Sequence, residues 1–319
     1  MRMVVSFPPH TLARHTVGSY NRVWFYCALP MAGAGICLYG LRAVLILALT
    51  TVAAVAAEWA ANKVMSRPDT CGDMHAVLIG FMVGLTLSPA VPWWVAVVAS
   101  MTAVVLGKML FGGLGFFPFQ PVLVGWVVAY LSWPELMTTY IAPAPGVLWP
   151  ALETAELPLA LVRIDPSEVY TYGFKALFFG VYPGPIGASS ALAIIIGGAA
   201  LLVRGYLKWE IMAGFLIALA VTSQIYAFIN PDLYAPFWWH LLVGSALMTA
   251  FFLAPEPTTS PVTCQGMFLF GLGAGIITYM VRVYGIHPDG AFYGVLIFNA
   301  LTPLLDSFRS KPLGRMSLG

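Results

Sequence analysis

Ten apolar runs succeed one another along the chain, at residues 23–40, 41–61, 74–91, 93–110, 119–133, 176–203, 209–228, 237–254, 265–284 and 290–305. A bilayer core takes about 20 helical residues at 1.5 Å each. In lipid, backbone donors and acceptors must be satisfied inside the protein, which leaves helices or closed barrels. Runs of this length, ended by Pro, Gly, Asn or charge, predict an all-α polytopic membrane protein of about ten transmembrane helices. Only 9% of residues are charged and 60% are hydrophobic, where a soluble domain carries about 25% charged residues. The first partner is therefore the lipid bilayer. A net charge of +2 gives no reason to expect nucleic acid. Cys27, Cys37, Cys71 and Cys264 show no metal or disulfide spacing. The polar, basic first 22 residues lack the apolar core of a cleavable signal.

Lysine and arginine mark the cytoplasmic side of helical membrane proteins. If the N-terminus is inside and the spans alternate, Arg2, Arg14, Arg22, Lys63, Arg67, Lys108, Arg204, Lys208, Arg309, Lys311 and Arg315 face inward. Arg42, Arg163, Lys175 and Arg282 then face outward. This bias predicts both termini in the cytoplasm. The expected organisation is a cytoplasmic segment 1–22, a first membrane repeat 23–133 of five helices and an extracytoplasmic loop 134–175. A second five-helix repeat 176–305 and a cytoplasmic tail 306–319 follow. The loop holds Glu135, Glu153, Glu156, Asp165, Glu168 and several prolines, and reads as an ordered cap or docking loop.

The halves echo each other. HAVLIGFMVGLTLSPAVP begins at His75 and HLLVGSALMTAFFLAPEP at His240; each has an early glycine and ends in a proline break. One more run follows each, then a Gly/Pro hairpin, FGGLGFFPFQP in the first half and YGIHPDGAF in the second. Five spans per half would insert the copies with opposite orientation, a 5+5 inverted repeat. Paired broken or re-entrant helices in such repeats build sites near the midplane. Broken backbone inside a bilayer is tolerated only where protein buries it or a cavity lies beside it. Lys108, at the entrance of the first hairpin, either neutralises an anion there or snorkels to the cytoplasmic interface; charge alone favours the snorkel.

Several stretches resemble the RnfD/NqrB family, the D-type membrane subunits of Rnf electron-transport complexes together with their counterpart in the sodium-pumping NADH:quinone oxidoreductase. KMLFGGLGFFPFQPVLVGWVV is similar to that family's K-x-L-[FY]-G-G-L-G-x-N-P-F-N-P segment. FFLAPEPTTSP, GPIGASSALAIIIGGAALL and HPDGAFYGVLIFNALTPLLD resemble three more of its stretches, in family order along nearly the whole chain. The resemblance implies ten helices in an inverted repeat, within a redox complex of other membrane and soluble subunits that couples electron transfer to Na⁺ or H⁺ translocation. It implies a bacterial inner membrane and flavin as the redox group, usually FMN joined through its phosphate to a threonine in an [ST]-x-A-T-P-L loop. Here that loop reads LETAELPLALVR, and the acceptor position is Leu157. Leucine has no hydroxyl, so covalent FMN is expected to be absent, and FMN or riboflavin, if present, is held noncovalently. Thr154, three residues earlier, stands at the [ST] position. Ala188, Phe117 and Gln120 also replace polar residues of the family pattern.

The candidate flavin pocket comprises Lys108, Gly112, Gly113, Gly115, Pro118, Gly187 and Ser189, although Ser189 reads first as a helix N-terminal hydroxyl. The candidate ion path comprises Glu256, Asp289, His75 and His240. The two histidines lie near span ends and read equally as satisfied interfacial side chains; Asp289 reads also as a cap of the last span. Asn299 reads as interhelical glue and Asp306 as a surface anchor. No nucleophile elbow, HExxH or phosphate loop occurs, so no catalytic residue is expected. Three readings follow: a flavin-bearing redox subunit, a channel or transporter for a small polar solute, and a structural anchor for soluble partners.

Overall fold

The computed structural model describes residues 16–307. Its first helical element, α1 (Val17–Val64), is 48 residues long but carries a non-helical Gly40 at φ 60°, ψ −144°. A straight helix of that length would reach about 72 Å. Instead both ends meet the same short stretch: Asn21 donates to the Asp73 carbonyl at 2.9 Å, and Asn62 to the Thr70 hydroxyl at 3.1 Å. The element is therefore a hairpin of two limbs with its tip at Gly40. Only glycine fits that tip. The positive φ strains any L side chain, and an added Cβ would collide with the Leu148 carbonyl. Leu41 N–H donates to that same carbonyl at 2.9 Å, so the tip is held by the backbone around residue 148.

Helix α2 (His75–Thr86) stops earlier than its apolar run, which continues to residue 91. Leu87 turns extended, and prolines at 89 and 92 then withhold backbone donors. Helix α3 (Trp93–Val104) continues into a π-helical turn, Val105–Met109. An irregular loop leads to α4 (Pro121–Ser132), capped by the Gln120 side chain, which accepts from Val122 N–H at 3.2 Å.

The segment 134–179 is ordered. It holds α5 (Pro134–Thr138), an antiparallel pair joining Tyr140 to Ala155 and Ile141 to Thr154, α6 (Pro158–Ile164) and α7 (Phe174–Phe179). Leu157, Leu159, Leu177, Tyr182 and Trp239 belong to its own apolar core.

The apolar run 176–203 is not one helix. Gly180 ends α7 in the left-handed region, and Pro183 and Pro185 keep the following residues irregular until α8 (Ala191–Val203). This irregular stretch docks on the broken end of α2. Gly187 N–H donates to the Leu85 carbonyl at 2.8 Å and Ile186 N–H to the Leu87 carbonyl at 3.0 Å. The backbone groups that a helix would have satisfied are thus paired across the two halves of the chain, as a lipid environment demands.

Helix α9 (Trp209–Ile229) packs on α12 (Cys264–Tyr284) through glycine: a Cβ at Gly271 would collide with the Ile211 carbonyl. Between them lie α10 (Phe237–Leu242), a break at 243–245, and α11 (Ala246–Met248), which continues into a π turn, Thr249–Leu253. The apolar run 237–254 is therefore also interrupted. Helix α13 (Ala291–Asp306) closes the fold. Among the described residues, Val17–Val64, Trp209–Ile229 and Cys264–Tyr284 are long and apolar enough to cross a membrane, and five more apolar helices are shorter.

Candidate functional site

Two charge clusters lie inside this apolar body. The first sits where both ends of α1 meet the π turn of α3. Lys108 Nζ lies 2.7 Å from Glu58 Oε1, with the side chains 1% and 0% exposed. Thr70 donates to the same carboxylate oxygen at 2.5 Å. Glu58 Oε2 and Asn62 Oδ1 have no hydrogen-bond partner among the described residues. The expectation that Lys108 snorkels is corrected: its ammonium is sealed against the Glu58 carboxylate. A buried lysine needs a counter-charge, and the π turn, a distortion frequent at functional sites, carries this one.

Beside this pair, the His75 backbone N–H donates to Asp73 Oδ1 at 2.7 Å, and its ring stacks on Phe117 at 5.7 Å. Its Nδ1 is buried without a partner, which corrects the reading of a satisfied interfacial histidine. Trp24, His75, Gln120 and Phe252 close around a space of about 10 Å³ together with Glu256. That is about the least volume that holds one water. Glu256 of the second half and His75 of the first thus border one space. Gly112, Gly113 and Gly115 all have positive φ, and a Cβ at Gly113 or Gly115 would meet open space. Gly112 and Gly113 line a cavity of about 400 Å³ with Asn62 and Thr70, while Pro118 is exposed.

The second cluster lies just before the start of α13. Arg282 contacts Asp289 Oδ1 at 3.0 Å and donates to the carbonyls of His240 at 2.5 Å and Val243 at 3.0 Å. Ser245 donates its backbone N–H and its hydroxyl to Asp289 Oδ2 at 2.6 and 2.5 Å. The break at 243–245 therefore has a structural use: it frees a carbonyl for the arginine and an amide for the aspartate. Gly244, at φ 76°, is the residue that lets the backbone pass so close; a Cβ there would lie 2.8 Å from Asp289. Asp289 also stands 3.5 Å from the Ala291 amide, so capping of α13 is secondary to the ion pair. Arg163, from α6, grips the end of α12, donating to the carbonyls of Val281, Arg282, Gly285 and His287 at 2.6–3.1 Å. His240 Nδ1 is again buried and unpartnered.

The candidate ion-path residues fall into two pairs. His75 and Glu256 border one small space, while Asp289 pairs with the Arg282 that holds the His240 carbonyl in the second cluster. The candidate flavin residues divide similarly. Lys108 lies in the π turn and Gly112, Gly113, Gly115 and Pro118 follow it, whereas Gly187 and Ser189 lie beyond the far end of α2. Ser189 is not the α8 cap; Ser190 is, accepting from Ala193 N–H at 3.4 Å. Ser189 instead donates to the Pro185 carbonyl at 2.7 Å and shares a bond with the Tyr39 hydroxyl at 3.1 Å. Asn299, expected to glue helices, has both amide atoms buried without partners. Asp306 accepts from Val262 N–H at 2.8 Å.

As to flavin, Leu157 offers no oxygen for a phosphoester and it is 3% exposed, within the smaller apolar core. Lys108 is already neutralised. These two positions do not fit an FMN phosphate. Thr154, Thr138 and Glu156 border a cavity of about 620 Å³ beside Leu157.

Sequence reasoning missed Glu58, Ser245 and the pairing roles of Arg163 and Arg282. An acid within the run 41–61 and an arginine near the end of the run 265–284 were the available signals.

Broken helices, and charge paired inside an apolar body, define a polytopic helical membrane protein. A family profile described as the NQR2, RnfD, RnfE family matches residues 4–314, and the chain belongs to that family. It is 34% identical to the D component of the ion-translocating oxidoreductase complex of Halorhodospira halophila, over 98% of this chain and 95% of the relative. It is 32% identical, with the same coverage, to the D component of the Na⁺-translocating ferredoxin:NAD⁺ oxidoreductase complex of Acetobacterium woodii. The D component of the proton-translocating ferredoxin:NAD⁺ oxidoreductase complex of Clostridium ljungdahlii is 30% identical, over 95% of this chain and 93% of the relative. The family-level resemblance read from the motifs is confirmed.

Proposed function

We propose that this chain is the D-type membrane subunit of an ion-translocating electron-transport complex, assembled with other membrane and soluble subunits in a bacterial inner membrane. The observation that carries the reading is the end-to-end match to relatives that are each the D component of such a complex. The coupled ion is Na⁺ or H⁺, the two cations named among those relatives.

The proposed architecture has ten spans in a 5+5 inverted repeat. It is supported by the two limbs of α1, by His75 and His240 opening the third span of each half, and by Lys108 and Arg282 near the end of each fourth. The proposed orientation places both termini in the cytoplasm, in keeping with the lysine and arginine bias and with both ends of α1 lying on one side. His75 and Glu256 would serve the inner end of an ion path, His240 and Asp289 the outer end. No bond-making residue is assigned.

Any flavin on this chain is held without a covalent link. The leucine at position 157 and the neutralised Lys108 also favour a second reading, a subunit that conducts or scaffolds without a flavin of its own. Deleting the chain from its complex and restoring it tests the first claim. Restored ferredoxin-dependent NAD⁺ reduction with cation uptake into inverted vesicles is expected. Full coupled uptake without the chain would sink it. Released flavin, quantified after denaturing the isolated chain, separates the two readings.

A further inference from the structure

A groove of about 430 Å³ runs along the second limb of α1, between Thr51, Val52, Val55, Ala56 and Trp59 on that limb and Cys71 in the turn before α2. The spacing puts the five limb residues on one helix face. Val52 is 67% and Trp59 51% exposed, and the Thr51 hydroxyl is spent on the Leu47 carbonyl at 2.6 Å. The wall is therefore apolar and open, on a helix long and apolar enough to cross a membrane. From Thr51 to Trp59 it measures about 12 Å at 1.5 Å per residue, within the roughly 15 Å of hydrocarbon in one leaflet. An acyl chain matches that wall in length and chemistry.

Two opposite charges flank one end of the groove. Lys63 Nζ stands 4.0 Å from the centre of the Trp59 ring, and Asp69 Oδ1 accepts the Cys71 N–H at 3.0 Å. Trp59 and Cys71 both line the groove, so each charge sits on a different wall. Both side chains are exposed, and neither forms an ion pair among the described residues, with the other or elsewhere. Arg67 borders a different cavity, with Asn62 and Asp73. Lysine on tryptophan at the end of an apolar span is an ordinary interfacial anchor, but an unpaired carboxylate across the groove from it selects among headgroups. A purely anionic headgroup meets repulsion from Asp69, and a quaternary ammonium has no N–H to donate. A phosphate beside a primary ammonium answers both walls.

We propose that this groove is a binding site for one phospholipid with a primary-amine headgroup, of the phosphatidylethanolamine kind. Its acyl chain lies along Val52, Ala56 and Trp59, its phosphate on Lys63 and its ammonium on Asp69.

The test is native mass spectrometry of the full-length chain in detergent, titrated with phosphatidylethanolamine, phosphatidylcholine or phosphatidylglycerol of identical acyl chains. The fraction of chain carrying one lipid gives an apparent Kd, and circular dichroism checks that each variant is folded. Phosphatidylethanolamine is expected to bind tightest. Asp69→Asn, which keeps an oxygen for the Cys71 amide, should erase its advantage over phosphatidylcholine. Lys63→Gln should weaken both by about threefold, the scale of an exposed ion pair. Ala56→Trp, which fills the groove from its open side, should weaken all three. Equal binding of the three lipids, a preference for phosphatidylglycerol, or a phosphatidylethanolamine preference that survives in folded Asp69→Asn or Ala56→Trp overturns the proposal and leaves this face to bulk lipid.

Discussion

Glu58 and Lys108 stand fifty residues apart in sequence and 2.7 Å apart in space, sealed from solvent inside the apolar body. Taking one partner away leaves the other as an uncompensated buried charge. Lys108→Ala is expected to destabilise the protein by about 3–5 kcal/mol, and Glu58→Gln with Lys108→Met together by clearly less. Thermal unfolding of the purified protein in detergent, followed by circular dichroism, checks the order. A single variant as stable as the natural chain would remove the ion pair from the account of the fold.

The Gly40 tip makes a second prediction. Gly40→Ala must adopt a positive φ and push against the Leu148 carbonyl. Strain of that kind costs on the order of 1–3 kcal/mol, and overpacking adds to it. The expected outcome is a lower unfolding temperature with faster protease cleavage around residue 148. Gly33→Ala, in the same limb with nothing near its Cβ position, is the control and should change neither.

Arg163 ties α6 to the end of α12 through four carbonyls. Hydrogen bonds from a charged donor contribute about 1.5–3 kcal/mol each when well made. Arg163→Lys keeps the charge but cannot fork. Hydrogen exchange at residues 281–289 is expected to quicken in Arg163→Lys and more in Arg163→Ala, with exchange in α8 unchanged.

Cys71 lies between α1 and α2, outside the spans, and burial together with the nearby Asp69 carboxylate pushes its thiol up to about 11. With the other three cysteines replaced by serine, alkylation by iodoacetamide should be slow at pH 7.5 and rise steadily toward pH 11, because only the thiolate reacts. Asp69→Asn removes a negative neighbour, so its profile should shift to lower pH. A natural chain already labelled at the rate of a free thiol at pH 7.5 would contradict the structure here.

Position 157 gives the last prediction. Intact mass of the purified chain should show no added FMN phosphoester, since Leu157 carries no oxygen. Added mass localised to Thr154 would show that attachment had moved three residues along the loop.

Apolar length and punctuation made the helical membrane class legible, and the motif order made the family legible. What escaped was anything set by partners distant in sequence. Lys108 was readable as a charge at a span end, but its readings as anion ligand or snorkel both lacked Glu58, because nothing local joins the two. The α8 cap was placed on Ser189 rather than Ser190 because adjacent serines offer the same chemistry; only the Tyr39 contact tells them apart. The run 176–203 looked continuous because apolar residues fill irregular buried backbone as well as helices, and its prolines were the sign that it would break. His75 and His240 were found by their echo, but their unpaired nitrogens follow from how neighbouring helices close over them.

The pairing of Leu85 and Leu87 with Gly187 and Ile186 bears on biogenesis. The ribosome releases the end of α2 well before it has made the stretch that satisfies it, so during insertion the carbonyls of Leu85 and Leu87 lack these partners. A nascent chain halted before residue 186 should therefore stay bound to the insertion machinery, and the fold matures only when its later portion arrives to close that seam.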